Sequence, residues 1–532
     1  MSRKVVLISG PIGSGKSTLA KNLEKKFGAT IVKTSNIIRH KKSVDRSDRL
    51  SLQKKGDELD QETYGRWILD SLSEIIRKIK TEDTDDAIFV IDSIRISNQI
   101  NHIRHAYSSV VHIHLTAPSE VLKERYQKRA GKKPNIPAYE TVKKNKTEEK
   151  IEDLAEIADV VINTKRCKED DVFVRAACRL ALFGKNENGY IDVIVGAQFG
   201  SEGKGQIAGY LAKEYDLLIR VGGPNAGHKV YEEPRSYTHH HLPSGTRKCD
   251  ANLLLAPGMV INVNNLLKEI SECKVGCDRL SIDPQVMVIN ERDIKNEEKR
   301  LKDISSTCQG VGNATARKIL HRKPKKVKLA KDIPQLKPYI EPAIDVVMKA
   351  LANNQRILVE GTQGTWLSIY HGYYPHVTSR DTTVAGCLSE AGLPPTRVRR
   401  VIMVCRTYPI RVEGPSGPMR KEITWKEISQ RSKIPEKELL KREKTSTTHR
   451  QRRVGEFNWE LLKKSAFING ATDIALNFVD YLSEVNRSAM RFEQLDKDTI
   501  DLIEEIEHVS KARVSLIGTG FNSRSIIDRR KW

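Results

Sequence analysis

The chain has 532 residues, 38% hydrophobic and 30% charged, a length and mix that suit a soluble globular protein of two or three domains and exclude wholesale disorder. No apolar run is long enough to span a membrane, and GPIGSGKST interrupts the N-terminal VVLIS where a signal peptide would continue, so a cytoplasmic protein without membrane contact is expected. The net charge of +23 is spread over both halves and favours polyanions, while eight scattered cysteines read as free thiols, Cys273 and Cys277 being weak zinc evidence.

VVLISGPIGSGKST carries G-x4-G-K-S between an apolar strand and the helical pattern TLAKNLEKKF. In that setting Gly10, Gly13 and Gly15 bring backbone amides to a triphosphate, Lys16 reaches the β- and γ-phosphates, and Ser17, followed by Thr18, is placed to reach Mg2+. Ala87–Arg95 reads as a second buried strand with Asp92 and Arg95 at its C-terminal edge, to orient Mg2+ or the acceptor and to hold the acceptor's phosphate; an ordinary ion pair is the alternative. A third strand, Val110–Ala117, leads into a helix with Arg125 and Arg129 and then a basic, proline-broken stretch with the character of a lid, where arginines neutralise charge on a transferred group. A last strand lies in Ala158–Arg166. Residues 1–184 resemble the P-loop nucleoside-monophosphate kinases, and 185–189 read as a linker.

From residue 190 a second domain begins. Ile191–Val195 is an apolar run fit for a buried parallel strand, and Gly196, Gly200, Gly203 and Gly205 follow before a helix, again strand, phosphate loop, helix. GAQFGSEGKGQ, GGPNAGHKV, HLPSG, TCQGVG, EGTQGT, YPHVTSRDTT, TTHRQRR and GTG then occur in one order. In that order they resemble the motifs of adenylosuccinate synthetases over residues 190–532. The fold class expected is therefore α/β throughout, a P-loop kinase domain with a parallel sheet followed by a large adenylosuccinate-synthetase-like domain.

The resemblance implies a two-step ligase. A nucleoside triphosphate, ATP or GTP, with Mg2+ phosphorylates O6 of a 6-oxopurine nucleoside monophosphate, and the amine of L-aspartate then displaces the phosphate. It assigns Gly200, Glu202, Gly203, Lys204 and Gly205 to the triphosphate loop and His228 to stabilising charge on O6. Asn225, Gly227, Thr307, Gln363 and Thr378 go to the purine nucleotide, and Thr447, Thr448, Arg450 and Arg452 to the loop over aspartate, whose carboxylates suit guanidinium forks. Asp480, Gly518 and Gly520 go to the base of the triphosphate. The basic run Arg317–Lys331 lacks aromatics, which argues against nucleic acid. It falls where the family reaches across a homodimer to the partner's nucleotide, with His321 at the arginine's position and Arg322 beside it.

Three departures stand out. Ser201 replaces the catalytic-loop aspartate; a hydroxyl is too weak an acid–base group and too neutral an Mg2+ ligand to do the same work. It leaves room for a 2-amino group, a replacement shared with 2-aminoadenylosuccinate synthetases, which makes (d)GMP the expected acceptor. Phe478 replaces a base-packing lysine beside Asp480, so ATP competes with GTP as donor, and Lys229 stands where the family has threonine. Two other readings stay open: inosinate chemistry with another acid, such as Glu202, compensating for Ser201; and a nucleotide sensor in which only the kinase half turns over. Histidines 239–241 cluster without the facing geometry a metal needs.

Overall fold

The computed structural model describes residues 4–42, 49–78, 87–130, 138–143, 148, 150–165, 167–180, 182, 190–232, 235–321, 323, 326–445, 450–520 and 525–530. The linker 185–189, Arg322, Thr447 and Thr448 lie outside the described residues, as does the side chain of Arg129. The chain divides into two compact units, Met1–Phe183 and Gly184–Trp532.

The first unit is built on five parallel strands, β1 (Lys4–Ser9), β2 (Thr30–Lys33), β3 (Ile88–Asp92), β4 (Val110–Thr116) and β5 (Val160–Asn163), in the order β2-β3-β1-β4-β5. Helices cover both faces, so the strands are apolar on both sides. Val5, Leu7, Phe89 and Ile91 pack with Trp67 and Leu72 on one face. Val6, Ile8, Val90, Ile113 and Leu115 pack with Leu19, Leu23 and Phe173 on the other. Helix α1 (Lys16–Phe27) starts directly after Gly15, whose φ of 98° is open to glycine without strain. The short, half-polar β2 escaped the sequence reading because TIVK offers too few alternations to register.

The second unit holds a nine-stranded sheet. Its order is Leu280–Ile282, Asn252–Leu255, Leu217–Arg220, Arg356–Glu360, β6 (Tyr190–Gly196), Val398–Arg406, Asp473–Asn477, Arg513–Gly518 and Ile526–Asp528. All neighbours are parallel except the last pair. Two large apolar clusters cover its faces, so the C-terminal ends of the central strands form the edge where loops converge. A smaller antiparallel sheet of Ile410–Val412, Arg452–Gly455 and Glu422–Ile423 packs over Trp425, Ile428, Leu439 and Tyr481. Trp425 Nε1 donates to the carbonyl of Arg452 at 2.8 Å, fixing the strand that carries this arginine. Among the described residues no helix is long and apolar enough to cross a membrane.

Candidate active site

A cavity of about 1040 Å³ opens at that edge of the second unit. The loop after β6 forms one wall with Gly200, Ser201, Glu202, Gly203, Lys204 and Gly205. The loop turns through left-handed backbone at Gly200, Ser201 and Gly203, with φ of 88°, 58° and 93°. Glu202 is fully buried; its Oε1 accepts from the N–H of Gly200 at 2.8 Å and of Gln198 at 3.1 Å, and its Oε2 from Lys204 Nζ at 2.7 Å. The carboxylate therefore shapes the loop and holds Lys204, and Glu202 as a compensating base is corrected: both its oxygens are committed. Asn477 locks the loop from behind, its Nδ2 donating to the Glu202 carbonyl at 2.8 Å. Gly203 and Gly518 flank that carboxamide so closely that an added Cβ would lie 2.5 and 2.3 Å from it.

His228 faces the cavity with Asn225 and Gly227. Its Nδ1 meets Glu360 Oε1, and Arg220 Nη1 lies 3.1 Å from Nδ1 and 3.0 Å from that same oxygen. Ser244 N donates to the other carboxylate oxygen at 2.7 Å. Burial first, then Arg220, pushes His228 down to about 3, against the upward pull of Glu360. Burial alone would raise Glu360, but Arg220 and His228 hold it at about 2. The histidine is thus neutral, with one nitrogen bound to a fixed anion.

Ser201 has another cluster behind it. Arg452 donates from Nη2 to Ser201 Oγ at 3.1 Å and from Nη1 to Glu443 Oε2 at 2.9 Å. Glu443 also accepts from Arg406 Nη2 and from the hydroxyl of Tyr481, each at 2.8 Å. Against the upward push of burial, Arg406 and Arg452 keep its carboxyl at about 2. The Ser201 hydroxyl thus accepts from a guanidinium that is itself paired with a buried carboxylate.

Thr307, Gln363, Thr378, Asp480 and Gly520 also line the cavity, and Gln363 Nε2 lies 3.4 Å from Thr378 Oγ1. Gly518 is not on its wall and packs on Asn477 instead, and Arg450 is exposed and does not line it. Asp480 is 3% exposed, and burial pushes it up to about 7 because Arg442, 3.9 Å away, only partly offsets the loss of water. Glu269 accepts from the backbone N–H groups of His240, His241 and Leu242, so the histidine stretch is braced by a carboxylate. Among the described residues no group of three or more His, Cys, Asp or Glu gathers as a metal site. Sequence reading missed Arg220, Ser244, Arg406 and Glu443, which lie outside or silent within the motifs and become visible only when strand ends meet.

In the first unit Gly10, Gly13 and Gly15 have positive φ, and Lys16 Nζ donates to the carbonyls of Gly10 at 2.6 Å and Pro11 at 2.9 Å. Ser17 and Thr18 lie on the first turn of α1, Ser17 exposed and fit for an Mg2+-bound phosphate. Asp92 ends β3, and Arg95 Nη1 pairs with the buried Glu148 at 2.9 Å. Arg125 grips the hydroxyl and carbonyl of Thr164, each at 2.8 Å, which ties its helix to the chain after β5.

A glycine phosphate loop beside a neutral histidine and paired arginines, at the C-terminal edge of a parallel sheet, defines a nucleotide-dependent α/β enzyme. Comparison with known proteins narrows the class: the chain belongs to the adenylosuccinate synthetase family, whose model matches residues 193–333 and 323–488. Adenylosuccinate synthetase of Archaeoglobus fulgidus is 36% identical over 345 residues, covering 64% of this chain and 98% of that protein. Among solved structures, succinoaminodeoxyadenylate synthetase of cyanophage S-2L, bound to dGMP and dATP as an energy donor, shares 27% identity at a TM-score of 0.55 over 64% of this chain and 96% of its own. Adenylosuccinate synthetase of Plasmodium falciparum, at 24% identity and a TM-score of 0.55 over 64% of this chain and all of its own, shares the fold. An AAA-domain model matches residues 6–153. The second unit is an adenylosuccinate-synthetase-type ligase of purine metabolism, and the first is a P-loop, kinase-like unit.

Proposed function

We propose that the second unit joins L-aspartate to C6 of a 2-amino-6-oxopurine nucleotide, (d)GMP, through a 6-phosphoryl intermediate, and that the first unit is a nucleotide kinase. One observation carries the ligase reading: Ser201 places a small neutral hydroxyl, bonded to Arg452, on the cavity wall where the family has a carboxylate. A purine with an exocyclic amine at C2 gains room there, and the hydroxyl can accept a hydrogen bond from it. The likeness to a structure holding dGMP and dATP supports the same substrate class and an adenine donor, as does Phe478 in place of the base-packing lysine.

Lys204 and the loop amides would hold the triphosphate, and Arg452 the aspartate carboxylates, with Thr447, Thr448 and Arg450 completing that loop. Mg2+ bound with the triphosphate would neutralise phosphate charge. A cytoplasmic homodimer is part of the proposal: Ile319 and Leu320 are 61% and 74% exposed at the end of a helix that runs into the basic stretch around Arg322, an apolar step that a second copy would cover.

The test is incubation with Mg2+, L-aspartate, ATP or GTP, and IMP, GMP or dGMP in turn, with mass spectrometry for the succinyl adduct. An adduct from IMP alone sinks the guanylate assignment, and none from any purine sinks the ligase. Replacing Ser201 with aspartate should depress guanylate use more than inosinate use; equal effects count against the steric reasoning.

A further inference from the structure

Phosphorylating O6 of a 6-oxopurine requires the proton on N1 to leave, and Ser201 cannot take it. Three of the four carboxylates on the cavity wall are committed to other groups, and the fourth, Asp480, stands where the resemblance puts the triphosphate's base. Glu202 serves loop amides and Lys204, and Glu443 serves Arg406, Arg452 and Tyr481. Glu297 caps a helix, accepting from the N–H groups of Gly310 at 2.7 Å, Gly312 at 2.6 Å and Asn313 at 3.2 Å. Asp480 belongs to the turn after the strand Asp473–Asn477, next to Phe478.

His228 differs. Nδ1 lies near both Arg220 Nη1, which can only donate, and Glu360 Oε1, which can only accept; the Glu360 contact is the shorter and Arg220 Nη1 has that same carboxylate oxygen to donate to, so Nδ1 carries the hydrogen and Arg220 holds the carboxylate in place. The ring's lone pair is therefore on Nε2, the nitrogen left for the cavity that His228 lines. We propose that His228 is the general base for the purine as well as the stabiliser of O6, one side chain covering both tasks that the family divides between a histidine and an aspartate. This rests on the 6-oxopurine reading above.

In the first step Nε2 takes the N1 proton, the N1–H electron pair becomes the N1–C6 double bond, and the carbonyl pair moves onto O6. O6 bonds to the γ-phosphorus as the bond from that phosphorus to the β–γ bridging oxygen breaks, releasing the nucleoside diphosphate. In the second, the neutral amine of L-aspartate attacks C6 and loses a proton to solvent. The C6–O6 bond breaks, and the imidazolium proton leaves with inorganic phosphate. Burial and Arg220 keep the resting imidazole neutral, as a base must be, with Lys204 acting in the same direction. Incoming phosphates raise its proton affinity when the transfer is needed.

The full chain with His228→Ala, and with His228→Gln in case alanine does not fold, is assayed for ligation from pH 6 to 9 beside the wild type, with purine binding checked by calorimetry. We expect a loss of about 100-fold or more at neutral pH. The variant rate should climb tenfold per pH unit, because solvent must now deprotonate N1, while the wild type levels off. Added imidazole should restore His228→Ala in proportion to its neutral form. Profiles that run parallel, or rescue by imidazolium, overturn the base assignment. A wild type that makes no adduct with any purine refutes the substrate reading instead.

Discussion

Glutamine at 360 tests the buried charge pair on which the histidine depends. Arg220 is fully buried and Glu360 is 2% exposed, so replacing the carboxylate leaves a guanidinium in the interior without its counter-charge. Breaking a buried pair from one side costs about 3–5 kcal/mol. The incoming amide also turns one acceptor into a donor among Arg220, Ser244 and His228, all of which donate. With an unfolding entropy of roughly 0.7 kcal/mol/K for a unit of about 350 residues, the midpoint of the second unit should fall by about 4–7 °C. Circular dichroism or scanning calorimetry reads the shift, and ligation should fall with it because nothing then fixes the His228 tautomer. A midpoint within about 1 °C of wild type would show that Glu360 is not the charge partner the geometry makes it.

Replacing Arg452 with alanine should raise the KM for L-aspartate by about tenfold or more while leaving nucleotide KM values near wild type, since the guanidinium fork suits carboxylates; equal changes in all three would refute the assignment. Lys16→Ala should abolish phosphoryl transfer by the first unit without altering ligation, measured as nucleoside diphosphate formation and succinyl adduct in the same preparation. Asp480, held near 7 against an ordinary 3.8, binds its proton more tightly folded than unfolded. The contribution of Asp480 to stability is therefore lost as pH rises from about 4 to 7, by up to ~4 kcal/mol, and stays lost above. Asp480→Asn removes that decline, so its melting advantage over wild type should be larger at pH 8 than at pH 4; an advantage independent of pH would show that Asp480 ionises normally.

Much of this architecture was legible from residue patterns. The apolar run at Ile191–Val195 announces β6, and G-x4-G-K-S announces the β1–α1 turn, because parallel strands buried on both faces cannot hide their composition. The cavity wall from Gly200 to Gly205 followed from the same logic. What stayed illegible depends on contacts distant in sequence. Glu360 is visible in EGTQGT, but its engagement with Arg220, His228 and Ser244 needs adjacent strand ends to meet. Glu443 looks like any acid in a charged helix end until Arg406 arrives from the strand Val398–Arg406. Glu202 misled for the converse reason: proximity in sequence to Ser201 suggested a base, whereas the tight left-handed loop bends its carboxylate back onto backbone amides.

The wedge of Asn477 between Gly203 and Gly518 also sets which positions remain open to adaptive change. Any side chain at either glycine would collide with the carboxamide, so a lineage, or a mutagenesis library, gains little by varying them. Phe478 and Asp480 sit just beyond that wedge on the cavity wall, where, in the proposed site, altered side chains would meet the donor's base instead of the loop's backbone. On the proposed assignment, donor preference would drift while the phosphate cradle stays invariant, and a saturation library restricted to those two positions would be the compact way to change it.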